Sequence, residues 1–202
     1  MQRLAESGWL EMRKLLQKKG IHWLATRFGW RQLRSLSFDE RYKSGTWNFS
    51  GESAELVHLV ESYCDGGDLL MLGCGRAGIV GCMKPGMFRS FVGVDLSPEA
   101  IAVASKQSND QVRFEVGDME NHVCAQRYDV ILFADSLYYV SRFRRKRFLQ
   151  TVRRQLTDRG VIIVAIAQPG RYACILEMIR RNFSIDLDRP LEAGNRHVII
   201  FR

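Results

Sequence analysis

A chain of 202 residues can bury a full core, and 46% hydrophobic with 26% charged residues is the make-up of an ordinary globular domain, not a disordered or fibrous one. The net charge of +8 points to an anionic partner such as nucleic acid, a phosphorylated substrate or a membrane surface. The longest uncharged apolar run, Val161 to Ala167, is too short to span a bilayer, and Glu6 and Glu11 interrupt the stretch that a secretory leader would need, so a cytoplasmic location is expected.

The first forty residues read as helical, with interruptions near Gly20 and Gly29. Basic residues concentrate there: residues 1–36 hold eight Lys or Arg against two Glu. Between residues 21 and 34, Ile21, Leu24 and Phe28 share one helical face, while Trp23, Arg27, Trp30, Arg31 and Arg34 form another stripe. Tryptophan interleaved with arginine suits peripheral contact with an anionic membrane at its inner face; packing of the tryptophans on a neighbouring helix explains the same stripe. A helix is expected from about Glu52 to Tyr63, broken by "CDGGD", and Leu69 to Leu72 is a short buried strand.

Alternation follows: a helix near Ile79, strand "FVGVD", helix "SPEAIAVASKQ", and strands "VRFEVGD" and "YDVILFA". A basic helix from about Arg142 to Leu156 then precedes strand "GVIIVAIA". Residues 142–159 hold eight Lys or Arg against one Asp. Strands alternating with helices imply parallel βαβ units with right-handed crossovers. The last twenty residues read instead as two strands joined by a turn containing Gly194 and Asn195, an antiparallel hairpin at one edge. The five cysteines have no C-x-x-C pair and no metal-ligand spacing, and each reads as a small buried apolar residue in a reducing compartment.

The chemistry concentrates after the first strand, in "LLMLGCGRAGIVGCM". Gly73-x-Gly75-x-x-Gly78 fits the dinucleotide fingerprint as written, so NAD is the first cofactor to weigh. Glycine lets the backbone approach a ligand closely, and Asp95 closes the next strand, where a carboxylate can accept both ribose hydroxyls. That much suits NAD and S-adenosylmethionine alike. Against NAD stand the roughly seventy residues before the fingerprint and the lack of any Tyr-x-x-x-Lys pair.

The segments "LLMLGCGRAG", "FVGVDLSPEAIAVA", "VRFEVGDMEN" and "YDVILFADSLYYV" occur in order and resemble the successive motifs of class I S-adenosylmethionine-dependent methyltransferases. The small-molecule group is the nearest in pattern, with the last motif similar to nodulation-type N-methyltransferases. The resemblance covers about Phe38 to Ala167. It implies an α/β, Rossmann-like, seven-stranded sheet, mostly parallel with an antiparallel C-terminal hairpin, plus N-terminal helices. It divides the chain into an N-terminal helical lid segment, 1–50, and a cofactor-binding methyltransferase domain, 51–202.

The resemblance also implies roles, residue by residue. Gly73, Cys74 and Gly75 would border the methionine part of S-adenosylmethionine, which leaves as S-adenosylhomocysteine. Asp95 would hold the ribose, Leu96 would pack on the adenine, and Asp118 and Met119 would meet its edge. Ala134 and Asp135 would face the sulfonium. "FDERYKSGTW" is similar to the segment that closes over the cofactor, making Tyr42 and Trp47 lid contacts. Met71 departs from the family, which usually has an acidic residue there, and Ala77 stands where a third glycine is common.

Each residue also has a plainer explanation. Gly78 suits close helix packing, Asp118 can cap a turn, and Asp95 could cap a helix, although Ser97 before Pro98 fills that role better. Asp135 and Tyr139 are the candidate catalytic residues. The expected acceptor is an oxygen or nitrogen of a small metabolite or a sugar or glycan precursor. "ADSLYY" replaces the Asn/Asp-Pro-Pro-aromatic motif of adenine-amino methyltransferases, so nucleic acid is not the favoured partner. Two alternatives stand beside this: an RNA-directed methyltransferase using the basic segments, and a non-catalytic cofactor-binding regulatory or assembly protein.

Overall fold

The computed structural model describes residues 38–44, 53–122, 126–192 and 195–202. The N-terminal helices, the membrane stripe of residues 21–34, Trp47 and the 50/51 domain boundary lie outside the described residues. Residues 38–43 are helical. After them come α1 (Ala54–Cys64), β1 (Asp68–Leu72), α2 (Gly78–Cys82), β2 (Ser90–Asp95), α3 (Pro98–Ala104) and β3 (Val112–Val116). The second half contains β4 (Tyr128–Ala134), α4 (Arg145–Arg153), β5 (Leu156–Ala167), α5 (Ala173–Asn182), β6 (Ile185–Pro190) and β7 (Arg196–Phe201). Short 3-10 turns occupy Ser105–Gln107 and Leu137–Tyr139.

The seven strands form one sheet in the order β3-β2-β1-β4-β5-β7-β6. β1 pairs in parallel with β2 and β4, β2 with β3, and β4 with β5, whereas β7 runs antiparallel to both β5 and β6. β1 is buried at every position, as befits a parallel strand covered on both faces. Its side chains alternate between two cores. Leu70 and Leu72 join Val92, Ile131 and Phe133 beneath α4 and α5, which contribute Leu149, Val152, Ile175 and Ile179. Leu69 and Met71 join Phe91, Val130 and Leu132 beneath α1 and α2, which contribute Leu56, Val60 and Ile79.

Local signals set the element ends. Ser97 caps α3, its hydroxyl accepting from Ala100 N at 3.1 Å with Pro98 in the first turn. The basic helix stops at Arg153, and β5 begins at Leu156 within the stretch the sequence assigns to helix. The pairing explains this difference. Tyr128 faces Leu156, the register then shifts, and Val130 faces Val161. Gly160 sits inside that bulge, where a Cβ would lie 2.7 Å from the Tyr128 carbonyl oxygen. The cysteines divide: Cys64 and Cys74 are buried, but Cys82 and Cys174 are exposed, contrary to the expectation for each. Among the described residues, no helix is long and apolar enough to cross a membrane.

Candidate active site

In an open α/β sheet the ligand crevice lies beyond the carboxyl ends of the strands, where crossovers diverge to opposite faces. Here β1 sits between β2 and β4, and the chain turns after all three line one cleft. The cleft holds about 1050 Å³ counting the solvent at its mouth.

Its floor is the turn after β1. Gly73 adopts φ +76° and Gly75 φ +55°, and both residues 73 and 74 donate to the Val94 carbonyl, at 2.8 and 3.0 Å. Glycine is needed at 73 for close approach, since a Cβ there would lie 2.4 Å from Ser136 Cβ. Ser136 in turn donates to the Leu72 carbonyl at 2.6 Å, tying the turn after β4 to the end of β1.

Asp95 joins the turns after β1 and β2. Its Oδ2 accepts from Gly75 N at 2.8 Å and its Oδ1 from Ser97 N at 2.9 Å. Burial pushes its carboxyl above the usual range, against the pull of those amide bonds. It does not cap α3, because Ser97 does. Next to it, burial raises the Cys74 thiol well above its ordinary value, which keeps that sulfur protonated and inert. At the far side of the floor, Asp118 Oδ1 accepts from Glu120 N at 3.0 Å, the turn-capping geometry, while Asp118 and Met119 both line the cleft.

The helical segment 38–43 closes one wall. Tyr42 is buried, and its hydroxyl lies over Gly75, 2.6 Å from where a Cβ would stand. The Arg76 guanidinium covers the Tyr42 ring at 5.6 Å and donates to the Tyr42 carbonyl at 2.8 Å. Asp39 accepts from the Ser97 hydroxyl, and the Phe38 ring meets Tyr139 edge-on at 5.0 Å.

The opposite end is aromatic and charged. Asp135 holds φ +52°, uncommon for a residue with a Cβ and of the kind found at functional sites. Its Oδ1 accepts from Ala167 N at 2.5 Å, and its Oδ2 pairs with Arg196. Tyr138 stacks flat on Tyr172 at 4.4 Å and meets Tyr139 at 4.7 Å. Burial raises both phenols, that of Tyr139 to about 12, so their hydroxyls stay protonated at neutral pH.

Every site residue expected from sequence lines this cleft except Trp47, which lies outside the described residues: Tyr42, Gly73, Cys74, Gly75, Asp95, Leu96, Asp118, Met119, Ala134, Asp135 and Tyr139. Sequence reasoning missed Phe38, Arg76, Ser136, Tyr138 and Arg196. Arg196 carried no local signal. It arrives because β7 runs antiparallel beside β5, pairing Arg196 with Ala167 at the cleft end of the sheet.

The donor set fits S-adenosylmethionine. Carboxylates at 95 and 118 offer acceptors where the cofactor has ribose hydroxyls and an exocyclic amine, and Leu96 and Met119 offer apolar surface for the base. It fits a dinucleotide less well. The helix after the glycine turn has only five residues, its N-cap Ala77 makes no side-chain bond, and so short a helix offers a pyrophosphate little dipole.

These features define a ligand cleft at the carboxyl end of a Rossmann-like sheet. Residues 69–160 match the sequence model of a methyltransferase domain. No curated protein sequence matches it. Its fold is shared with solved structures of low identity. N-methyltransferase NodS from Bradyrhizobium japonicum WM9, in complex with S-adenosylhomocysteine, superposes with a TM-score of 0.62 at 14% identity, covering 77% of this chain and 90% of that one. A TehB-like S-adenosylmethionine-dependent methyltransferase from Corynebacterium glutamicum ATCC 13032 gives 0.63 at 20% identity, covering 83% and 97%. The glycopeptide N-methyltransferase MtfA, complexed with S-adenosylmethionine, gives 0.61 at 13% identity, covering 76% and 95%.

Proposed function

We propose that this chain methylates a nitrogen or oxygen of a small metabolite or of a sugar or glycan precursor. The observation that carries this is the acceptor end of the cleft, a narrow aromatic chamber walled by Phe38, Tyr138 and Tyr139 and backed by the Asp135–Arg196 pair. It suits a small group entering between rings.

Within this reading, Asp95 accepts from the ribose hydroxyls, Asp118 from the exocyclic amine, and Leu96 and Met119 flank the adenine. Gly73, Cys74, Gly75 and Ala134 border the methionine end, and Tyr42 covers it. The bound cofactor supplies an electrophilic methyl group on a sulfonium. The residues contribute placement: nucleophile and methyl held close and in line account for about 7–11 kcal/mol of a displacement barrier.

Proton chemistry separates the acceptors. Asp135 has one oxygen on an amide and the other on Arg196, so both its oxygens are engaged and it acts as a positioning residue. Tyr139, with its phenol pushed up to about 12, donates a hydrogen bond and does not take a proton. A neutral amine needs no base in the displacement, and a hydroxyl acceptor does. The cleft therefore favours nitrogen.

The test is release of S-adenosylhomocysteine by the full chain with panels of small amines, amino sugars and sugar hydroxyls, run beside structured RNA transcripts. Turnover is expected with small amines. Turnover on RNA alone would overturn the reading, and cofactor binding with no turnover on any panel would favour the non-catalytic alternative.

A further inference from the structure

Around the tyrosine end of the cleft stand five arginines from four separate segments. Arg196 lines the cleft beside Tyr138 and Tyr139 and pairs with Asp135. The exposed Arg171 lies 5.6 Å over the Tyr172 ring, which also stacks on Tyr138. Arg41 is close enough for its charge to favour ionisation of the Tyr139 phenol. Arg145 is buried behind the tyrosines and donates to the Val140 carbonyl at 2.7 Å and the Tyr138 carbonyl at 3.4 Å. Its Nε has no hydrogen-bond partner, and no carboxylate pairs with it among the described residues. Burial lowers the Arg145 guanidinium below its ordinary value, with Arg142 acting the same way and Cys174 and Glu120 against it.

The carboxylates facing this group are few. Asp135 is already taken by Arg196, and Glu120 is paired with Arg144. A buried guanidinium resting only on carbonyl oxygens is costly, because carbonyl dipoles do not neutralise it. Low-dielectric aromatic walls screen the charge of Arg145 poorly, so its field is felt at this end of the cleft. A chamber for a neutral acceptor would gain nothing from such a field. Guanidinium groups match the planar or forked oxygens of phosphate and carboxylate.

We propose that the methyl acceptor carries an anionic group, a phosphate or carboxylate, received at the tyrosine end of the cleft by Arg171 and Arg196 with Arg145 as a fixed charge behind them. This rests on the cleft being the methyltransferase site. Phosphate on a free metabolite and a diphosphate joining a sugar to its carrier present the same chemistry to these arginines, and the probes below separate them.

The experiment uses the full chain saturated with S-adenosylhomocysteine, at constant ionic strength, titrated separately with inorganic phosphate, pyrophosphate and acetate. Arginine Nε–Hε resonances report the anion, and calorimetry on the same samples reports S-adenosylhomocysteine. Saturable shifts at Arg171 and Arg196 are expected. Arg171→Gln should weaken the anion about tenfold, the scale of one charge-assisted hydrogen bond. Arg153→Gln, the same charge change on the exposed outer end of α4, should leave it unaltered.

Preference for phosphate over pyrophosphate would indicate a phosphate ester, the reverse a diphosphate-linked acceptor, and preference for acetate a carboxylate; each supports the proposal. Shifts that rise linearly without saturating, or equal losses in Arg171→Gln and Arg153→Gln, would overturn it. Failure of S-adenosylhomocysteine to bind would overturn the methyltransferase reading instead, and it appears in the calorimetric channel alone.

Discussion

Replacing Asp95 with alanine tests the cleft most directly, because one carboxylate has two separable roles. In the protein alone, Asp95 accepts from two buried amides, Gly75 N at 2.8 Å and Ser97 N at 2.9 Å. Removing it strands both donors, each costing about 1–3 kcal/mol. The carboxylate is itself held unfavourably by burial, which raises its pKa, so part of that loss is returned. A net destabilisation of about 2–4 kcal/mol is expected. For a chain of this length that lowers Tm by roughly 5–15 °C. Asp95→Asn is the sharper variant: its amide keeps one acceptor but turns a donor toward one of the two N–H groups.

The second role is in the complex. Loss of the ribose acceptor should weaken S-adenosylhomocysteine by a further 1–3 kcal/mol or so, about five- to a hundredfold in Kd. Urea titration without ligand measures the first effect, and calorimetry at a temperature where both variants are folded measures the second. Weakened folding with unchanged affinity would refute the ribose role and leave Asp95 as a tie between turns. Unchanged stability would refute the tie.

Three further outcomes follow from the same geometry. S-adenosylmethionine and S-adenosylhomocysteine should bind while NAD(H) and NADP(H) do not; calorimetry decides, and NAD binding without S-adenosylmethionine binding would sink the cofactor assignment. Gly75→Ala places a methyl 2.6 Å from the Tyr42 hydroxyl at φ +55°, so it should lower S-adenosylhomocysteine affinity about tenfold and speed hydrogen exchange over residues 38–43; unchanged exchange would show that Tyr42 does not rest on this turn. Asp188, chelated by Arg180 and facing His197 Nε2 at 2.6 Å, has its carboxyl held down to about 2. A folded pKa below the unfolded value of about 3.9 gives stability that is full above that value and is lost as pH falls through about 2. Asp188→Asn should therefore cost about 1 kcal/mol at neutral pH, the scale of a part-exposed pair, shrinking as pH falls through about 2 and vanishing only below it; a gap constant with pH would refute it.

The two ends of the cleft differ in how much of them a linear sequence can carry. The nucleoside end is local. Leu69 to Leu72 is an uninterrupted apolar run, Gly73 and Gly75 follow at once, and Asp95 closes the next such run with Ser97 and Pro98 behind it. Each piece is fixed by its neighbours in the chain, so pattern and spacing suffice to find it.

The acceptor end is assembled across the fold. Phe38 comes from before β1, Tyr172 from the loop after β5, and Arg196 from a strand that reaches the cleft only because β7 inserts between β5 and β6. Even the partner that occupies the second oxygen of Asp135 is 61 residues away. The sequence placed Asp135 at the right strand end and could assign it a proton, because nothing within reach of local pattern shows that both its oxygens are taken. The start of β5 was hidden for the same reason, since a bulge against Tyr128, not any helix-stop residue, draws Leu156 into the sheet. What such a chain binds as cofactor is written in contiguous words. The proposed acceptor end depends on contacts between words far apart, Arg171, Arg196 and Arg145 among them.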